Sequence, residues 1–312
     1  MMPAPIRWTL VGLLALVHMT GLPTLAHAQS RGVYPLGMTA VGSGVTPEPG
    51  FTYANQLLFY ARDESKANDG STLPVTGLNT VVMDMNSFVW VSPKTLLGGA
   101  HYSAVATLPV AKNQLISDIH GQLSGGGGFA DSYYLPLILG WNQERVSFRA
   151  LAGFLAPTGR FTASATDNVG SGYWTPTLSS GQTFQLTANK SSTLSTFELY
   201  EFHSTQEGTG TKPGDTINLD YSLLRTFALA KGPSGVQIGV AGYEQRQTTA
   251  KTGPSIAPEQ SQERYAINGI GFAAGFVFPK QKFNLGVRFF EEFANRASYQ
   301  GYSLQVSGAV SF

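Results

Sequence analysis

Apolar and polar residues alternate with a period of two along most of this chain, which is the pattern of extended strands rather than of helices. In Tyr302–Phe312, the residues Tyr302, Leu304, Val306, Gly308, Val310 and Phe312 share one face, and Ser303, Gln305, Ser307, Ala309 and Ser311 share the other. One greasy and one small polar face place such a strand between an apolar medium and a wet or tightly packed interior. The half-buried last strand of a soluble sandwich would carry the same pattern. Comparable stretches are Phe51–Arg62, Leu78–Val91, Gly99–Val110, Ser132–Asn142, Arg145–Ala156, Ser180–Ala188, Leu194–Thr205, Thr216–Ala228, Val236–Gln247, Tyr265–Phe278 and Phe283–Phe293. The pattern predicts about twelve strands, each near the ~9–11 residues with which a tilted strand crosses a bilayer.

The phase of each strand follows if its greasier face is turned outward. In the second, Val81, Met83, Met85, Val89 and Val91 share that face, with Asp84 and Asn86 opposite. In the third, Tyr102, Ala104, Ala106, Leu108 and Val110 face out against His101, Ser103 and Thr107. In the fifth, Val146, Phe148, Ala150, Ala152 and Phe154 alternate with Arg145, Ser147 and Arg149. The seventh resists assignment, because either phase puts Glu198 or Glu201 on the apolar face; a bulge there would resolve the conflict.

The joins between strands alternate in length. Asp63–Gly77, Ala111–Asp131, Pro157–Ser179, Gln206–Asp215 and Thr248–Arg264 are long, while Ser92–Gly98, Gln143-Glu144, Asn189–Thr193, Lys231–Gly235 and Pro279–Lys282 are short. A soluble sandwich has no reason for such regularity. Outer-membrane barrels do, having short periplasmic turns and longer outer loops. The expected fold is therefore all-β: an antiparallel transmembrane β-barrel of about twelve strands spanning 51–312, with both ends on the periplasmic side.

Composition agrees. Charged residues make up 12% of the 312-residue chain, aromatic residues 12%, and Gly numbers 36. That charge is about half the usual share of a soluble domain, and no internal window holds the ~20 apolar residues of a spanning helix. A net charge of +1 argues against nucleic-acid binding, and the absence of Cys excludes disulfides, thiolate metal sites and Cys nucleophiles within the chain. At the amino terminus, Arg7, the apolar Thr9–Met19 and Ala26-His27-Ala28 form a secretory signal over 1–28, with cleavage expected before Gln29. Residues 29–50, rich in Gly and Pro and closing with Pro47-Glu48-Pro49-Gly50, form an irregular lead-in that either plugs the barrel or hangs free.

If greasy faces meet lipid, the lumen receives Asp84, Asn86, Arg145, Arg149, Asn218, Asp220, Gln237, Asn284, Arg288 and Glu292. Gly269, Gly271 and Gly275 also turn inward and leave room for a partly plugging lead-in. More strands than the eight whose side chains fill a barrel, with mixed charge inside, imply a narrow passage. Arg145, Arg149 and Arg288 are either a basic strip that orients anions or structural partners of Asp84, Asp220 and Glu292.

Other candidates are weaker. His203-Ser204-Thr205 suggests a nucleophilic pair like that of an outer-membrane lipid hydrolase, but no orienting acid follows at a fixed spacing. Gly125–Gly128 lacks the Lys-Ser/Thr of a phosphate loop and reads as flexible outer loop. Tyr133, Tyr134, Trp141, Tyr173, Trp174, Tyr299 and Tyr302 fit an interfacial girdle, with Tyr173 and Trp174 also candidates for a ligand stack at the mouth. Five His show no metal-ligand spacing, and no cofactor is implied.

An ordered series of short segments resembles a known family. These are Pro49-Gly50-Phe51, Asn168-Val169-Gly170-Ser171-Gly172-Tyr173-Trp174, Tyr200-Glu201-Phe202, Gly214-Asp215 with Asp220-Tyr221, Val240-Ala241-Gly242-Tyr243-Glu244-Gln245 and Glu291-Glu292-Phe293-Ala294-Asn295. They look like the outer-membrane proteins labelled "putative MetA-pathway of phenol degradation", often described as transporters of hydrophobic or aromatic compounds. The sequence departs from that family at Thr248–Pro258, which lacks its usual acidic run. The terminal Phe312 likewise resembles the end of bacterial outer-membrane barrels, where that residue belongs to the assembly signal. The resemblance implies a transporter with no established catalytic residues; with the barrel pattern and the signal at 1–28, the reading is a monomeric, non-enzymatic channel in a Gram-negative outer membrane, exported by the Sec pathway. Its implied partners are lipid, the barrel-assembly machinery and small hydrophobic solutes. The alternative from another class is a non-transporting surface barrel of adhesin type or an outer-membrane lipid hydrolase.

Overall fold

The computed structural model describes residues 32–312 except 75–76, 97, 120 and 230–233. The expected signal segment, residues 29–31 and most of the Lys231–Gly235 turn lie outside the described residues. Among the described residues, thirteen strands make one antiparallel sheet: β1 (Gly50–Lys66), β2 (Gly77–Leu96), β3 (Ala100–Ser117), β4 (Gly121–Phe129), β5 (Ser132–Asn142), β6 (Val146–Ala156), β7 (Thr175–Gln185), β8 (Ser192–Glu201), β9 (Thr216–Ala228), β10 (Gly235–Gln247), β11 (Ala266–Phe278), β12 (Phe283–Glu292) and β13 (Ser298–Ser311). Apart from β4 and β5, which both pair with β3, each strand pairs with its sequence neighbours, and β1 pairs with β13, so the sheet closes on itself. Closure pairs both edges of every strand except β4, which pairs with β3 alone, and so removes the open edges that a spanning sheet cannot carry.

β4 and β5 occupy one position in the wall. β5 pairs with the first half of β3 and β4 with its second half, broken at Ala130-Asp131, which leaves a twelve-strand barrel. The expected Ala111–Asp131 loop is therefore mostly strand. Gly125–Gly128 pairs with Ala111–Gln114, because backbone pairing needs no side chains. At Gly126 the bare backbone leaves space for the Asp167 carbonyl, which a Cβ would occupy. β7 begins at Thr175, within the segment expected to be loop, and β8 ends at Glu201. β8 holds one register with both neighbours, without a bulge, so Glu201 points in and Glu198 out.

The barrel has a short-turn end, carrying Gly50 and Ser311, and a long-loop end capped by 157–174, 202–215 and 248–265. Val240, Ile270, Phe272, Phe276, Leu304 and Val306 stand exposed on the outside wall. No described helix is long and apolar enough to cross a membrane.

The packed core lies inside the barrel. Tyr34, Leu36 and Ala40 of the lead-in are buried against Tyr133, Leu135, Ile138, Leu151, Phe197, Leu199, Tyr243 and Phe290 of the wall. Burying a Leu or Phe side chain contributes ~1.5–3 kcal/mol, so this segment is seated by packing as well as by polar contacts.

Candidate functional site

Residues 32–49 form a plug, an irregular backbone inside the lumen. Its N–H and C=O groups have no ladder to join and must find partners in the wall. Carboxylates take the N–H groups. Glu201 Oε1 accepts from Val33 N and Tyr34 N at 2.9 Å each. Asp220 Oδ1 accepts from Gly37 N at 2.9 Å, while its Oδ2 accepts from Thr39 N at 3.0 Å and the Tyr34 hydroxyl at 2.7 Å.

Donors on the wall take the carbonyls. Gln305 Nε2 donates to Leu36 O at 2.7 Å, Arg288 to Met38 O at 3.0 Å, Ser222 Oγ to Ala40 O at 2.6 Å and Arg149 Nε to Ser43 O at 2.6 Å. Lower down, Asn142 bonds both polar groups of the Thr46 backbone. The plug lies hard against β7, where a Cβ on Gly181 would strike Ser43 O. Gly37 has φ +76°, which favours glycine, and a Cβ there would meet the Phe290 ring.

The expected room at Gly269 and Gly271 is already taken, by the Tyr243 ring and by the neighbouring β12 backbone. Gly275 instead lines a chamber of about 410 Å³ on the short-turn side of the plug, together with Gln56, Gln237, Arg288 and Ser307. On the long-loop side lies a second cavity of about 90 Å³, bounded by Val33, Pro35, Met83, Met85 and Asp131. Met38 lines both.

Of the expected lumen residues, Arg149, Asn218, Asp220, Gln237, Asn284, Arg288 and Glu292 face inward. Arg149, Asp220 and Arg288 are engaged with the plug, Asn218 donates to Glu201 at 3.0 Å, and Asn284 lines the lower chamber. Gln237 bonds Thr226 at 3.3 Å, and Glu292 pairs with Arg62 at 2.7 Å. Asp84 and Asn86 are corrections. Met83 and Met85 pair with the inward Leu58 and Gln56, which turns the two polar residues to the outer wall. There Asn55 donates to Asp84 and the Tyr53 hydroxyl donates to Asn86 at 2.6 Å. The greasier face of β2 points in because its lumen holds an apolar plug rather than water.

Arg145 is a second correction. It sits in the turn before β6, exposed, and donates to Gln185 O, so no basic strip runs through Arg145, Arg149 and Arg288. Tyr173 and Trp174 form no stack at the mouth: Tyr173 is buried edge-on to His203, and Trp174 lies outside against Phe154. Tyr133, expected in the girdle, is buried in the lumen. His203 Nδ1 faces Gly214 O at 2.9 Å, whereas Ser204 Oγ accepts from Trp174 N, so the pair is not assembled for nucleophilic work. Phe312 is 70% exposed, its N–H bonded to Phe51 O. Sequence reading missed Arg62, Gln305 and Asn142, each on a strand but near an end or amid small residues, and left Glu201 undecided.

A family model described as "Putative MetA-pathway of phenol degradation" matches residues 62–307. Among solved structures, an outer membrane channel from Pseudomonas putida F1 is similar at TM-score 0.72 and 13% identity, covering 90% of this chain and 100% of that one. The β-domain of the Bordetella autotransporter BrkA follows at 0.49 and 13%, covering 85% and 100%. The monoaromatic hydrocarbon channel CymD gives 0.37 and 8%, covering 85% and 89%. The first of these supports the barrel fold. The comparison with curated proteins found no match.

Proposed function

The chain belongs to the "Putative MetA-pathway of phenol degradation" family, and we propose that it is an outer-membrane channel for small hydrophobic or aromatic compounds, constricted by its own amino-terminal segment. The observation that carries this reading is the unfilled lumen: a chamber of about 410 Å³ persists beneath the plug, and a smaller cavity lies above it. A barrel serving only as a scaffold would gain by filling such space, since voids cost packing energy. The long-loop end faces outward and the short-turn end faces the periplasm, in keeping with barrels of this class. Solutes pass by diffusion past the plug, whose backbone is held by side chains able to release it one bond at a time. Residues 1–28 serve as a Sec export signal, Phe312 as part of the assembly signal, and the barrel works as a monomer.

The test is conductance and uptake. Single-channel recordings in planar bilayers should show small openings for the native chain and larger ones for a correctly folded deletion of residues 31–46. Proteoliposomes should admit phenol faster than empty liposomes. A folded barrel with no influx of any small solute would refute the channel and favour a surface protein.

A further inference from the structure

The cavity of about 90 Å³ above the plug is chemically distinct from the chamber below. Pro35 and Met38 of the plug and Met83, Met85 and Leu155 of the wall make it apolar, while Asp131 supplies a carboxylate at its edge. Asp131 lies at the break between β4 and β5, where Oδ1 accepts from Gly159 N at 3.0 Å and Oδ2 from Ser171 N at 2.7 Å. A carboxylate has about four acceptor positions, so each oxygen keeps capacity for another donor. Burial pushes its carboxyl above the ordinary range, opposed by those bonds from Ser171 and Gly159. The other polar lining groups have partners already: Thr107 meets Ser87 at 2.8 Å, and Tyr133 meets Thr177 at 3.5 Å.

We infer that this cavity is a binding site for one single-ring phenolic molecule, its ring among the methionines and its hydroxyl donating to Asp131. The inference rests on the channel reading above. Thioether sulfur packs favourably against aromatic rings, and methionine's unbranched chain adapts to the ring it meets. Size sets the limit. A dry cavity of ~150 Å³ in another protein takes benzene, so about 90 Å³ is too small as it stands and admits one ring only when Met38 turns toward the lower chamber, while two fused rings stay excluded. Because Met38 also lines the lower chamber, the same rotation opens the way on. Met38 is thus the partition between binding and release.

The test titrates the purified full chain in detergent with phenol and with benzene by calorimetry, and measures phenol influx for the same preparations in liposomes. The native chain should bind one phenol saturably. Asp131→Asn should weaken phenol about tenfold and leave benzene unchanged, because only the hydroxyl meets the carboxylate. Met83→Trp, which fills the cavity, should abolish both while the barrel keeps its strand circular dichroism. Met38→Ala, which joins the two cavities, should admit 1-naphthol that the native chain rejects. Phenol influx without saturable binding, or equal binding by Met83→Trp, would overturn the site and leave the channel standing. Saturable binding with no influx would leave the site and sink the channel.

Discussion

Arg62 on β1 and Glu292 on β12 meet at 2.7 Å across β13, where Gly301 lies opposite Arg62 and offers no side chain to separate them. Both are largely buried, and Glu292 also accepts from the Tyr243 hydroxyl at 3.0 Å and from Asn295 at 3.1 Å. Breaking a buried pair leaves one charge stranded and costs ~3–5 kcal/mol, whereas replacing both by apolar residues of similar size is near neutral. Arg62→Met alone should therefore lower stability by about that amount, and Arg62→Met with Glu292→Met should recover most of it. Urea titrations of lipid-reconstituted protein followed by Trp fluorescence give the comparison. Additive losses would show that the pair is not coupled.

The plug hangs on two carboxylates. Asp220→Ala removes three hydrogen bonds to the segment Tyr34–Thr39, each charge-assisted bond being worth ~1.5–3 kcal/mol. The variant should conduct nearly as well as a chain lacking residues 31–46, and Glu201→Ala should fall between it and the native protein. Planar-bilayer recordings report this directly. Unchanged conductance in a folded Asp220→Ala barrel would show that the plug stays seated without Asp220.

Charge at Asp84 should not reach the permeating solute, since its side chain bonds Asn55 on the outer wall. Asp84→Asn should leave ion selectivity unaltered, while Gln237→Glu, in the chamber lining, should shift it toward cations. Reversal potentials under a salt gradient distinguish the two. A shift with Asp84→Asn would place that carboxylate on the ion path.

Phe312 and Phe51 sit together at the seam, with ring centroids 6.3 Å apart. Both are exposed on the outer wall, so each should matter little to the stability of the finished barrel. Deleting Phe312 should nevertheless cut insertion in cells far more than Phe51→Ala, because a terminal residue is read before closure. Immunoblots of outer-membrane fractions measure it, and equal yields would remove Phe312 from the assembly signal.

The period-two alternation and the regular exchange of long and short joins were enough to determine a barrel of about twelve strands, because both follow from crossing an apolar slab with a closed sheet. The strand phases in β13, β12 and β10 were legible for the same reason: one face of each is plainly greasier than the other. β2 was not. Its Met83 and Met85 and its Asp84 and Asn86 define two faces, but which face turns inward depends on what fills the lumen beside them. That occupant is the plug, distant in sequence and apolar where it meets β2 through Met38. Likewise Glu201 and Arg149 could be placed in the wall or beside it by alternation, yet their partners are backbone groups of residues 33, 34 and 43, whose positions no local pattern encodes. Alternation reports the medium on each side of a strand. Tertiary structure decided the rest here, because in this barrel the inner medium is the chain itself.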